Sequence, residues 1–124
     1  MSKKNLKIQW LDAPAKHDYP AAESYLGLLF DPATTARYIK KLRRADACEF
    51  KARDLLRASD LSRLGISNSH VERDREKVIQ GTPLSPILLV RESRNARLII
   101  ADGYHRVCAV YSFDEDALVP CRIV

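Results

Sequence analysis

The segment from Leu98 to Ala109 constrains the fold of this chain more than any other part. It reads Leu-Ile-Ile-Ala-Asp-Gly-Tyr-His-Arg-Val-Cys-Ala. The apolar run before Gly103 is typical of a buried strand, and the residues after Gly103 have helical spacing, so Val107, Val110 and Tyr111 can share one face. A strand that passes through a glycine directly into a helix leaves the first N–H groups of that helix without intrahelical partners.

The chemistry of this turn favours an anion. The helix dipole adds partial positive charge at the N-terminus, and Gly103 accepts a positive φ and lets a ligand approach the backbone. His105 and Arg106 place two candidate cations in the first turn, where positive charge does not suit the helix itself. We expect a phosphate to contact the backbone N–H of Tyr104 or His105 and the Arg106 side chain. The alternative is a plain turn with a solvated His and Arg.

Three blocks in residues 82–124 resemble the ParB N-terminal domain, whose fold is shared with sulfiredoxin. Pro86–Arg91 (Pro-Ile-Leu-Leu-Val-Arg) is similar to the family's QPI-x-VR strand. Leu98–Ala109 is similar to the segment L-I-A-G-E-R-R-x-x-A and to its D-G-H-H-R form, and Leu118–Val124 (Leu-Val-Pro-Cys-Arg-Ile-Val) to the closing VPV-x-V strand. Because order and spacing agree, the chain resembles a stand-alone, bacterial-type ParB-like domain.

The resemblance implies an α+β fold, a small mixed β-sheet with packed helices over residues 48–124, preceded by a helical N-terminal extension over residues 1–47. It also implies a nucleotide ligand (ATP, ADP or CTP, with Mg²⁺ as a further candidate) whose phosphates bind at the glycine turn. In the family, the helix after the first strand faces this turn. The binding residues that this implies are Asp102, Gly103, Tyr104, His105, Arg106, Asn68, His70 and Arg73.

The chain also departs from the family at the turn. Tyr104 stands where sulfiredoxin has its reactive Cys, and a phenol with a pKa near 10 does not replace a thiolate. Tyr104 and His105 replace the Glu and first Arg of the ParB form, so neither cytidine preference nor CTP hydrolysis carries over. Three cysteines without a Cys-x-x-Cys spacing predict no zinc or disulfide framework. Cys108 and Cys121 fall among apolar neighbours and are predicted to be core residues.

Catalysis would require a base and a metal ligand near the phosphate. Glu72 and Asp74 are the carboxylate candidates, for general base or Mg²⁺ ligand, and His105 is a third catalytic candidate. The alternative is that these acids only stabilise the start of a helix. His70, Asp102 and His105 could hold a transition metal, but no ligand spacing supports this, so we assign no metal site.

Residues 1–47 read as two helices that dock on the domain or on a second subunit. A helix over residues 20–30 would dock through Tyr25, Leu28 and Leu29, after a polar loop at His17-Asp18. A second helix begins at Asp31-Pro32, packs through Ile39 and Leu42, and ends in a basic cluster (Lys40, Lys41, Arg43 and Arg44). The cluster either complements the helix dipole or forms a nucleic-acid patch.

The remaining elements follow from periodicity and turn residues. An ambiguous strand covers residues 48–56, and the polar stretch Ser59–Ser69 is predicted to be a loop, with a short helical turn at Asp60–Leu64 as a candidate within it. A helix spans His70–Gln80, capped by Asn68 or Ser69 and ended by Gly81. The last predicted elements are strands at Ile87–Glu92 and Arg97–Ala101 joined by a turn at Ser93–Ala96, a helix at Tyr104–Ser112 and a strand at Leu118–Val124.

Three function classes stay open. The first is a nucleotide- or phosphate-binding module that responds to its ligand, and the second is a small nucleotide-dependent phosphotransferase or NTP hydrolase. The third is a partition-type adaptor that associates weakly and non-specifically with DNA. Apolar runs such as Ile87–Val90 are too short to span a membrane, and the N-terminus lacks a signal-peptide core. We therefore expect a cytoplasmic protein without a membrane partner, with a homodimer as a candidate assembly.

Overall fold

The computed structural model describes residues 7–65, 67–92 and 97–124. Within these ranges, five helices and four strands form an α+β fold. Their bounds are α1 Asp18–Leu29, α2 Pro32–Arg44, β1 Cys48–Lys51, α3 Ala52–Ser59, α4 Ser69–Gln80, β2 Ile87–Glu92, β3 Arg97–Asp102, α5 Tyr104–Phe113 and β4 Leu118–Ile123.

The four strands form one mixed sheet in the order β1-β4-β2-β3. Strand β1 pairs antiparallel with β4, β4 pairs parallel with β2, and β2 pairs antiparallel with β3. This confirms the predicted small mixed sheet with packed helices. The turn predicted at residues 93–96 lies outside the described residues.

Helices cover both faces of the sheet, and the central strand β2 shows this most directly. Ile87 and Leu89 pack into the core formed with α3, α4 and α5, whereas Leu88 and Val90 pack into a second core with α1 and α2. All four side chains are fully buried. A strand that is covered on both faces reads as a continuous apolar run, which explains why β2 does not alternate.

The basic helix of the extension forms as predicted. The Asp31 carboxylate accepts a hydrogen bond from the Thr34 N–H at 2.8 Å, Pro32 occupies the first turn, and Ile39 and Leu42 are buried in the second core. The α4 prediction is also confirmed, because Asn68 caps this helix and Gly81, with φ of 78°, ends it.

The docking face predicted for α1 is wrong. Leu28 is 82% exposed, and Tyr25 and Leu29 are exposed as well, whereas Ala22 and Leu26 are fully buried. Asp18 is hydrogen-bonded to Ser85 and Arg106 in the interior of the protein. Ala22 and Leu26 follow Asp18 at intervals of four residues, so they lie on the same helix face and are buried with it.

Two predictions between residues 48 and 65 are also wrong. The strand ends at Lys51, and the buried side chains Ala52, Leu55, Leu56 and Ser59 then follow helical spacing in α3. The helical turn predicted at Asp60–Leu64 is absent, because α3 ends at Asp60 with a left-handed φ of 56°. A left-handed residue ends a helix rather than continuing it.

Candidate functional site

A cleft of about 420 Å³ lies where the start of α5, one side of α4 and the N-terminal extension meet. It is lined by Leu11, Ala15, His17, Asp18, His70, Arg73, Asp74, Lys77, Pro83, Leu84, Ser85, Asp102, Gly103, His105 and Arg106. The strand–glycine–helix turn predicted to hold an anion therefore opens into a cleft of the size typical of small-molecule sites.

Seven of the ten predicted site residues lie in this lining: His70, Arg73, Asp74, Asp102, Gly103, His105 and Arg106. The Tyr104 side chain is directed elsewhere, because its hydroxyl donates to the Ser62 carbonyl. The Asn68 side chain accepts from the N–H groups of His70 and Val71 as the cap of α4. Glu72 is exposed and is not part of the lining.

Gly103 is required by both conformation and space. Its φ is 110°, a value that residues with a side chain rarely adopt. A Cβ at this position would collide with the Ile87 side chain and lie 3.0 Å from Arg106 Nη2. As the N-cap of α5, Gly103 has no side chain that could accept from the first N–H groups of the helix. The first N–H groups of a helix lack intrahelical partners, and Gly103 and His105 at the start of α5 line the cleft.

Arg106 lies at the base of the cleft, where acceptors of its own chain surround its guanidinium. Nη1 donates to the Ser85 carbonyl at 2.7 Å and to Asp18 Oδ2 at 3.4 Å, and Nη2 donates to the Asp102 carboxylate. The Arg106 side chain is only 12% exposed. This guanidinium therefore ties together the beginning of α1, the segment before β2 and the end of β3.

Asp18 is the site residue that sequence reasoning missed. The polar loop predicted at His17-Asp18 is wrong for Asp18, which begins α1 and is 3% exposed. Its carboxylate accepts from the Ala15 N–H at 3.1 Å, from the Ser85 hydroxyl and from Arg106. One feature of the sequence could have identified it: Asp18 lies one helical turn before Ala22, on the helix face that is buried in the fold.

Burial changes the protonation of the Asp102 carboxyl group. Burial raises the pKa of Asp102 to about 6; the nearby Asp18 carboxylate adds to the rise, and Arg106 opposes it. A buried carboxylate favours its neutral form, and two carboxylates that share one cation cannot both gain its full attraction. The cluster can therefore take up a proton in mildly acidic solution.

The α4 wall of the cleft carries most of the remaining charge. His70, Asp74 and Lys77 follow at helical spacing, and Lys77 Nζ lies 3.9 Å from Asp74 Oδ1. Burial raises the pKa of Asp74, against the effects of Lys77, Arg106, His105 and Arg73. Arg73 is exposed and, within the described ranges, takes part in no salt bridge.

Two imidazoles of the cleft lining are in contact with each other. The rings of His70 on α4 and His105 on α5 have centroids 4.7 Å apart. Burial and the nearby His70 lower the pKa of His105, whereas Asp74 raises it. Among the described residues, no group of three or more His, Cys, Asp or Glu side chains is arranged to hold a metal ion.

The cysteines have the predicted place in the core. Cys108 and Cys121 are buried, and burial raises the pKa of both thiols, to about 12 for Cys121. Cys108 Sγ accepts from the Leu64 N–H at 3.4 Å. These protonated thiols pack as small apolar residues.

No helix in the described part of the chain is long and apolar enough to cross a lipid bilayer. No family model, curated protein or solved structure matches this chain, so the resemblance to ParB-like domains stays a hypothesis that depends on the three sequence blocks.

Proposed function

We propose that the cleft binds a phosphate-bearing small molecule, with a nucleotide as the preferred ligand, and that the protein is a ligand-binding module. One observation carries the proposal: the N-terminus of α5, whose N-cap Gly103 has no side chain to cap it, opens into a cleft whose lining also includes His70, Arg73 and Lys77 of α4. Backbone donors and cations that line the same cleft suit an anion between them.

The backbone provides the first part of the binding site. The N–H groups of Tyr104 and His105 lie in the first turn of α5, where the helix dipole is positive. Because Gly103 has no Cβ, a phosphate oxygen can approach this turn closely. Backbone N–H groups can donate to the oxygens of any tetrahedral oxyanion. They therefore account for phosphate binding but do not discriminate between nucleobases.

The α4 side chains provide the second part. Arg73 is exposed and free of salt bridges with other described residues, and Lys77 has only a long contact with Asp74, so both can turn toward an incoming anion. Arg106 contributes charge but is held by Asp18 and Asp102, so its main task is to position the turn. An anion beside His105 would stabilise its protonated form.

The cleft also offers a surface for a nucleoside. Leu11, Pro83 and Leu84 line it together with the polar groups, and apolar walls with a few convergent polar side chains are typical of small-molecule sites. The ParB-like sequence blocks support a nucleotide rather than free phosphate, with ATP, ADP and CTP as candidates.

A phosphotransferase or NTP hydrolase is the second candidate function, and Asp74 is the observation that favours it. This carboxylate lines the cleft beside His105, and burial raises its pKa, the direction that makes a carboxylate a better proton acceptor. Asp74 would have to accept the proton of the attacking hydroxyl, with Mg²⁺ neutralising the transferred phosphoryl group.

Thermal-shift measurements with pyrophosphate, ATP, ADP, CTP and GTP, each with and without Mg²⁺, test the proposal. A ligand that binds only the folded state raises the melting temperature. Arg73→Gln and Lys77→Gln should each weaken the best ligand by about tenfold or more in calorimetry, the effect of losing one charged hydrogen bond. Arg57→Gln, which removes an exposed cation on α3, is the matched control.

Two results would contradict the proposal. The first is the absence of any thermal shift at millimolar concentrations of all five probes, and the second is an equal loss of affinity in Arg57→Gln. Slow formation of a nucleoside diphosphate or free phosphate, lost in Asp74→Asn but not in Glu72→Gln, would favour a phosphotransferase or NTP hydrolase over a binding module.

A further inference from the structure

The exposed surface of α2 carries cations and no acids. Arg37, Lys40, Lys41 and Arg44 are exposed, and none of them forms a salt bridge with another described residue. We refer to these four residues as the α2 basic face. Arg43, the remaining cation of the helix, lies over the Tyr19 ring at 4.4 Å.

The helix dipole accounts for only part of this pattern. Lys41 and Arg44 lie in the last turn, where cations complement the dipole. Arg37 and Lys40 lie before the last turn, where that stabilisation has faded. Like charges along an exposed helix face repel one another. They are either separated by solvent or neutralised by an anionic partner.

The positive charge continues from the end of α2 onto the sheet. Arg122 Nη1 donates to the carbonyl of Ala45, the residue directly after α2, at 3.0 Å. The electrostatic effects of Arg91 and Arg122 both lower the pKa of Cys48, against the rise caused by burial, which indicates that both guanidiniums lie near this thiol. Cys48 lines a shallow hollow together with Lys41 and Arg44. The cations at the end of α2 and on the strands therefore lie near one another around this hollow, which Asp46 also lines.

We propose that this surface binds the phosphodiester backbone of a nucleic acid, independently of its sequence. Residues 37 to 44 extend about 10 Å along the helix, since each residue rises about 1.5 Å. Duplex DNA carries one charge per roughly 1.7 Å of its axis, so several cations of the face can contact phosphates at once. The exposed part of α2 carries no aromatic or amide side chain, and we expect its Arg and Lys side chains to contact phosphates rather than base edges.

The packing of α2 favours nucleic acid over a membrane surface. A helix that lies in a lipid interface inserts an exposed apolar face among the lipids. The apolar residues Ile39 and Leu42 of α2 are instead buried against Leu88 and Val90 of the sheet. Binding through this surface thus depends on charge alone, which is the pattern of non-specific nucleic-acid contact.

The basic surface is separate from the phosphate cleft. Among the residues that the structure describes, none lines both the cleft and the hollow at the end of α2. Nucleic-acid binding by α2 therefore does not depend on the function proposed for the cleft, and substitutions on α4 and α2 can be compared in one protein.

Fluorescence anisotropy with a labelled duplex of about 20 base pairs tests the proposal. Three or four phosphate contacts predict a log–log salt slope of about −3 to −4 and a dissociation constant no tighter than about 10⁻⁵ M near physiological salt. A duplex of unrelated sequence should bind within about twofold, because phosphate contacts carry no sequence information.

Two double variants with the same charge change provide the comparison. Lys40→Gln with Arg44→Gln should weaken binding at low salt at least tenfold and reduce the size of the slope by about 2. Arg57→Gln with Arg63→Gln removes two exposed cations from the surface between α3 and α5 and should change the affinity by less than about threefold. Thermal unfolding verifies that both variants fold, and Arg37→Gln with Lys41→Gln replaces the first pair if it does not.

Three outcomes would overturn the proposal. They are the absence of DNA binding at low salt, equal losses in the two double variants, and binding to vesicles containing phosphatidylserine without binding to DNA. Sub-micromolar binding that discriminates between the two duplexes would also overturn it, since phosphate contacts carry no sequence information.

Discussion

Asp18 Oδ2 lies 3.4 Å from Arg106 Nη1, although 88 positions separate the two residues in the chain. Both side chains are largely buried, and the Ser85 hydroxyl also donates to the Asp18 carboxylate. The pair joins the first helix of the extension to the first turn of α5. The extension is thus a structural part of the candidate site.

We predict that Asp18→Asn destabilises the protein by about 2 kcal/mol, the effect of losing a charged hydrogen bond while the partner stays buried. Asp102 still neutralises Arg106, so the loss should stay below that of a buried cation without any partner. Urea unfolding measures the effect. Glu23→Gln, an exposed position on the same helix, is the control and should change stability by less than about 0.5 kcal/mol. Equal stability of the two variants would contradict the prediction.

Glycine-to-alanine substitutions should separate backbone strain from steric collision. Gly103→Ala combines a φ of 110° with a collision against Ile87 and should cost about 3 kcal/mol or more. Gly81→Ala has a φ of 78° but open space around the added Cβ, so strain alone should cost about 1 kcal/mol. Thermal or urea unfolding of the two variants tests this order. A Gly103→Ala variant as stable as Gly81→Ala would show that the turn relaxes.

The stability contributed by Asp102 should fall as pH rises. The pKa of this carboxyl is raised in the folded protein from about 4 to about 6, so the folded state binds the proton more tightly than the unfolded state. This contribution is complete below pH 4 and is lost as pH rises through about 6. Relative to Asp102→Asn, the free energy of unfolding of the wild type should drop by roughly 2 kcal/mol between pH 4 and pH 7.

Urea unfolding at pH 4, 5, 6 and 7 measures this difference. The exposed carboxylate variant Asp116→Asn is the control, and its offset from the wild type should stay nearly constant over the range. A constant offset for Asp102→Asn as well would show that Arg106 keeps the Asp102 carboxyl ionised throughout.

Mild proteolysis of the native protein should yield no stable fragment that begins near Cys48. Removing the extension would uncover Leu88, Val90, Ile99 and Ala101, which form one face of the sheet core with α1 and α2. Exposing so much contiguous apolar surface destabilises or aggregates a small domain. A soluble, cooperatively unfolding fragment of residues 48–124 would contradict this and would identify the extension as a separable arm.

Local sequence determined the elements whose signals lie within a few residues of one another. Asp31 and Asn68 cap helices because their side chains reach N–H groups two or three positions ahead, and Gly103 makes the turn because only glycine fits its backbone conformation. These short-range contacts form in the same way whatever the rest of the chain does, so they could be predicted.

Tertiary structure alone decided which face of α1 is buried and which residues complete the cleft. The spacing of Tyr25, Leu28 and Leu29 offers as good an apolar face as Ala22 and Leu26, and no local rule chooses between them. The choice follows from Asp18, whose carboxylate can be buried only beside a cation, and that cation is Arg106 at the far end of the chain. Local periodicity carries no information about a pairing between residues so far apart in the chain. The place of Asp18 in the candidate site could therefore be recognised only from the tertiary structure.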